Sequence, residues 1–195
     1  MKILGISGSL RRGSYNTSLL GAAAGLLPDE VEFELWGGLK EVPPYDEDDD
    51  TEEAPAAAAA LRAAIAGADA VLFATPEYNS SVPGQLKNAI DWVSRPLATN
   101  PLRNKPVAVV GASTGAFGAV WSQGELRKVL AATGARVVEG EVAVGHAPTR
   151  FDEEGRLVDE NLLEQLEEVV AVLVAAAAAR CEAPDSHLAS AGLTA

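Results

Sequence analysis

Ile3-Leu4-Gly5-Ile6, running into Ser7-Gly8-Ser9-Leu10-Arg11-Arg12-Gly13-Ser14-Tyr15-Asn16-Thr17-Ser18, decides how the rest of the chain reads. A short apolar run ending in serine and glycine is a buried strand leaving its sheet. Asn16 then predicts a capped helix through Leu19, Leu20, Ala23, Ala24 and Leu27, stopped by Pro28-Asp29. Strand, loop and helix in that order form the first unit of an α/β layout.

The same alternation recurs outward from this unit. Val31, Phe33 and Leu35 alternate with Glu32 and Glu34, which predicts a strand near a sheet edge with one polar face. Residues 36–53 are irregular and include Pro43-Pro44 and the acidic run Asp46 to Asp50, read as a solvated loop. Pro55 starts an alanine-rich helix reaching Ala66, and Ala70-Val71-Leu72-Phe73-Ala74 is a continuous apolar strand. Leu86, Ala89, Ile90 and Val93 mark one face of a helix that starts near Pro83. Pro106 to Gly111 is a second fully apolar strand. A helix is expected over Ser122 to Thr133, with Gly134 as its stop. Arg136 to Val144 reads as a strand interrupted by Gly140, and Asn161 to Ala179 as the closing helix. Three strands apolar on both faces imply a parallel sheet covered by helices on each side. One domain is expected over residues 1–180, with 181–195 a flexible tail.

Composition excludes several classes of function. The chain has 195 residues and a charge of 15 − 28 = −13, against a general nucleic-acid binder or a protein drawn to anionic membrane. The single Cys181 forms no internal disulfide, and there is no Cys/His set for zinc. The opening apolar run is too short for a signal peptide and Val169 to Ala179 too short to span a bilayer, so a cytoplasmic protein is expected.

In a parallel sheet, ligands bind beyond the carboxyl ends of the strands. Three loops leave strands there. The first combines close backbone approach at Gly8, several hydroxyls, Arg11, Arg12 and a helix start, a set suited to a phosphate. Its Gly8…Gly13 spacing imitates a P-loop, but Ser14 stands in the lysine position, which favours a terminal monophosphate over a triphosphate. A solvated turn with surface arginines is the plainer alternative. The second loop, Thr75-Pro76-Glu77-Tyr78-Asn79-Ser80-Ser81-Val82-Pro83-Gly84, offers a ring and amide groups for a planar heterocycle; Tyr78 packed as core is the alternative. The third, Gly111-Ala112-Ser113-Thr114-Gly115-Ala116-Phe117-Gly118, resembles a dinucleotide fingerprint in which Ser113 replaces the first glycine. It also matches a nucleophile elbow literally, but His146 and His187 offer no credible partner. With so few protein acids and bases, the reactive atoms are expected to belong to a cofactor.

Gly8-Ser9-Leu10-Arg11 with Ser14 and Asn16, then Pro76-Glu77-Tyr78-Asn79-x-Ser81-x-Pro83-Gly84-x-Leu86-Lys87-Asn88-Ala89-Ile90-Asp91-Trp92, resemble the NAD(P)H-dependent FMN reductase family. The likeness continues through Ser113-x-Gly115-x-x-Gly118 and Leu126-Arg127 to Phe151-Asp152-Glu153-Glu154-Gly155. It implies a flavodoxin-like three-layer sandwich with a five-stranded parallel sheet in the order 2-1-3-4-5. It further implies bound FMN, NAD(P)H as co-substrate, and hydride passed by way of FMN N5 to a quinone or another small-molecule electron acceptor, in a ping-pong sequence. Ser9, Arg11, Ser14 and Asn16, with Ser18, would hold the FMN phosphate. Pro76, Glu77, Tyr78 and Asn79 would line the isoalloxazine, and Ser113 and Gly115 would approach its other edge. A homodimer or homotetramer is implied, with Lys87, Asp91, Trp92 and Arg95 on a contact helix. Members of the family this chain resembles often carry a second glycine after the Gly118 position, followed by a basic residue, where Ala119-Val120-Trp121 stands here. A flavodoxin-like electron carrier or a non-catalytic flavin-binding module remains the alternative.

Overall fold

The computed structural model describes residues 1–51 and 53–182. Strands β1 (Lys2–Ser7), β2 (Glu32–Trp36), β3 (Ala70–Thr75) and β4 (Pro106–Ala112) alternate with helices α1 (Tyr15–Ala24), α2 (Ala56–Ala66), α3 (Gly84–Val93) and α4 (Val120–Ala132). The short strands β5 (Arg136–Val137) and β6 (Ala143–Val144) follow, then helix α5 (Glu160–Glu182). All pairings are parallel, in the order β2-β1-β3-β4-β5, with β6 also paired to β4. This is the order that the resemblance implies.

Successive strand residues point to opposite faces, so the central strands feed two cores. Ile3, Leu72, Ala108 and Val110 face α1 and α5, meeting Leu19, Leu20, Leu166 and Leu173. Leu4, Ile6, Val71, Phe73 and Val109 face α2, α3 and α4, meeting Leu61, Ile65, Leu86 and Leu126. Every residue of β3 and β4 is buried. β2 lies at the edge, where Glu34 and Glu32 receive the ammonium of Lys2 at 2.5 and 3.9 Å. Among the described residues, no helix is long and apolar enough to cross a membrane.

Local details depart from expectation for physical reasons. The cap of α1 is Ser14, whose Oγ accepts from the Thr17 N–H at 3.4 Å; Asn16 lies inside the helix, which ends at Ala24. The expected fifth strand is split. Gly140 has φ +116°, and the chain leaves the sheet there while Arg127 donates to the carbonyls of Val109 and Gly140 on either side of the gap. α4 begins two residues before Ser122, and α5 runs to Glu182. The remainder of the expected tail, 183–195, lies outside the described residues. Trp92 cannot form a subunit contact: it is 0% exposed, and its indole N–H donates to the Pro43 carbonyl at 2.8 Å. Arg95 lies beyond the end of α3.

Candidate active site

The loops after β1, β3 and β4 converge at the carboxyl edge of the sheet and enclose a cleft of about 240 Å³. Ser9, Arg11, Ser14 and Asn16 line it from the first loop, with Tyr15. Pro76, Glu77 and Tyr78 line it from the second, and Ala112, Ser113 and Thr114 from the third. Ser18, Asn79 and Gly115 are not among its walls.

Each of these positions has a local cause. Arg11 is exposed, with its guanidinium 5.5 Å from the centre of the Tyr15 ring, and that ring packs 5.4 Å from Phe151. Among the described residues neither Arg11 nor Arg12 has an ion-pair partner, so an anion would meet uncompensated positive charge. Ser14 is buried; its oxygen accepts from the Thr17 N–H, and its hydroxyl hydrogen has no acceptor among the described residues. Asn16 also lines the cleft, yet its amide is engaged on both sides with the backbone of Ala112, at 2.9 Å each way. Ser18 instead sits beneath Gly155, where an added Cβ would come 3.1 Å from its Oγ.

The second loop folds into a tight turn. Tyr78 and Ser81 exchange backbone hydrogen bonds of 3.2 and 3.1 Å, and Asn79 and Ser80 at the tip have φ of +53° and +59°. Positive φ at both central positions suits Asn, so Asn79 serves the turn. Glu77 reaches across to α4: Oε2 accepts from the N–H groups of Trp121 and Ser122 at 3.1 and 3.2 Å. The residue at the start of that helix, Ala119, offers no side-chain cap, so Glu77 supplies one from another loop.

The third loop is stitched to 143–147. Gly115 and Ser113 carbonyls accept from the N–H groups of His146 and Ala147 at 2.9 and 3.0 Å. Gly118, at φ +58°, presses so close to Ala143 that any Cβ would collide with its carbonyl. Ser113 Oγ accepts from the Gly115 N–H at 3.1 Å, closing a hydroxyl turn. The exposed rings of Phe117 and Trp121 stand edge to face at 5.0 Å.

A second cleft of about 250 Å³ shares Ser9 with the first and lies between the ends of β1 and β2. Its hydroxyls Ser7 and Thr17, and the side chains of Trp36 and Lys40 opposite, were not singled out in the sequence. Ser7 and Thr17 carry a sequence signal, as further hydroxyls of the phosphate-type first loop.

The model of the NADPH-dependent FMN reductase family matches residues 1–149. The chain belongs to that family. An NAD(P)H-dependent FMN reductase of Pseudomonas aeruginosa is 44% identical over 174 residues, covering 89% of this chain and 93% of the relative. A quinone reductase of Escherichia coli is 37% identical over 169 residues, covering 85% and 89%. The solved structure of a flavoenzyme NAD(P)H:(acceptor) oxidoreductase from Paracoccus denitrificans superposes with a TM-score of 0.80 at 32% identity, covering 91% of this chain and 97% of that one. This FMN reductase is therefore an oxidoreductase on a flavodoxin-like sheet, with FMN as cofactor and NAD(P)H as co-substrate. Its cleft fits the cofactor: the uncompensated Arg11, the free hydroxyl hydrogen of Ser14 and the start of α1 form a phosphate-type donor set.

Proposed function

We propose that this reductase oxidises NAD(P)H and reduces quinone-like small acceptors in two successive half-reactions at the same cleft. The acceptor class rests on the quinone reductase relative. Bound FMN supplies the hydride-accepting and hydride-donating centre, N5. The chain's own residues bind, orient and shield. Ser9, Arg11 and Ser14 hold the phosphate end; Pro76, Tyr78 and Ser113 wall the ring end. The Glu77 carboxylate is committed to the start of α4, so it steadies the wall and is not assigned proton transfer.

The observation that carries the reading is Arg11, without an ion-pair partner among the described residues, on the wall of a cleft built by three strand-end loops. The test is anaerobic mixing of FMN-loaded protein with NADPH or NADH, then with a benzoquinone. Loss of the yellow absorbance followed by its recovery is expected. A flavin that stays oxidised in both nucleotides would make the protein a carrier or binding module instead. A homodimer or homotetramer is part of the proposal, supported by the exposed Tyr78, Phe117 and Trp121, at 56, 64 and 49%; light scattering after size exclusion reads the mass. We place the reaction in the cytoplasm because of its pyridine-nucleotide requirement.

A further inference from the structure

We infer that the cleft between the ends of β1 and β2 binds the phosphorylated adenosine half of the co-substrate, with Lys40 and Glu41 setting which pyridine nucleotide is preferred. The inference rests on NAD(P)H oxidation at the neighbouring cleft.

Three features of the cleft define its ligand. On one wall, Ser7 is 9% exposed, and its Oγ accepts from the Thr17 hydroxyl at 3.1 Å and the Ser9 N–H at 3.4 Å. Its own hydrogen has no acceptor among the described residues, so a buried donor is left for a ligand oxygen. On the facing wall, Lys40 is exposed and makes no ion pair among the described residues, although the protein carries a charge of −13. Trp36 lines the same cleft, half-buried and packed on the Gly38 backbone, where an added Cβ would lie 2.8 Å from its Cζ2.

Glu41 lines the same cleft. A bare anion would gain from Lys40 and the hydroxyl of Ser7 but be repelled by Glu41. A nucleotide answers all four groups: its base against the Trp36 ring, its phosphate toward Lys40 and the Ser7 hydroxyl, and its ribose hydroxyls donating to Glu41. Ser9 belongs to both clefts, so the second adjoins the phosphate end of the first.

The test is calorimetric titration of FMN-loaded protein with 2′,5′-ADP, which lacks the nicotinamide, alongside steady-state competition. Binding that competes with NADPH is expected. Lys40→Gln should weaken 2′,5′-ADP about tenfold, and Glu41→Gln should strengthen it, because the ribose 2′-hydroxyl that would donate to Glu41 is a phosphate in this probe. Both positions are exposed, so neither variant threatens the fold. Absent 2′,5′-ADP binding, binding that does not compete with NADPH, or unchanged affinity in both variants overturns the inference. Wild-type flavin bleached by NADPH alongside those results would leave the reductase reading standing. A flavin that neither NADPH nor NADH bleaches removes both.

Discussion

Asn16 and Ala112 hold each other by two hydrogen bonds: Nδ2–H donates to the Ala112 carbonyl and Oδ1 accepts from its N–H, each at 2.9 Å. The start of α1 is thereby clamped to the end of β4, and the spacing between the first and third loops is set. The clamp is 3% exposed at Asn16, so water cannot replace it.

Asn16→Ala should cost about 2–3 kcal/mol of stability, because two buried backbone groups lose their partner. FMN affinity should fall with it as the loops lose registration. Urea unfolding and flavin fluorescence titration read the two effects; lost affinity at unchanged stability would assign Asn16 to direct phosphate contact alone.

Arg11→Ala should lower apoprotein stability by no more than about 1 kcal/mol, the scale of its exposed contact over the Tyr15 ring, since the side chain has no ion-pair partner among the described residues. FMN affinity should fall by roughly 1.5–3 kcal/mol, the scale of a charge-assisted hydrogen bond. An unaltered titration curve would contradict the phosphate role.

Glu77→Ala should destabilise the protein by about 1 kcal/mol through loss of the cap on α4. Glu77→Gln, which keeps an accepting oxygen, should recover part of that. Equal losses in both variants, measured by thermal unfolding, would argue against capping.

Ala119→Gly should stabilise by about 1 kcal/mol. Ala119 is buried at φ +63°, a conformation where a Cβ is strained and glycine is not. A lowered melting temperature would show that packing of its methyl group outweighs the strain.

Lys105 sets a pH dependence. Its ammonium is buried against the carbonyls of Ala66 and Ala68 at the end of α2, and burial, with Arg180 nearby, pushes its pKa down to about 8 from 10.5. The folded state then binds fewer protons than the unfolded chain between those values, so stability should rise from pH 8 toward 10.5. The rise is on the order of 1–3 kcal/mol. Lys105→Met should remove that slope, read by urea midpoints across the range.

The loops that carry the cleft could be found in the chain because each directly follows an apolar run whose strand character is local. Roles within those loops were less accessible. Asn16 reads equally well as a cap, a phosphate ligand or a clamp until Ala112 is beside it. Asn79 belongs to a matched motif, yet its positive φ commits it to the turn. Trp92 has an interface residue's chemistry, and only the Pro43 carbonyl packed over it shows that it is core.

Sequence alone determined the succession of strands and helices, the parallel sheet and the three loops at its edge. Hydrophobic periodicity, glycine and proline act over a few residues, so they leave a trace in the chain itself. Tertiary structure decided which polar groups face a ligand and which hold the frame. The Asn16 clamp joins residues 96 apart, and the Glu77 cap joins residues 44 and 45 apart. The second cleft exists only because β2 lies beside β1. Partners so distant along the chain impose no local pattern, and their geometry appears only when the sheet brings their loops together.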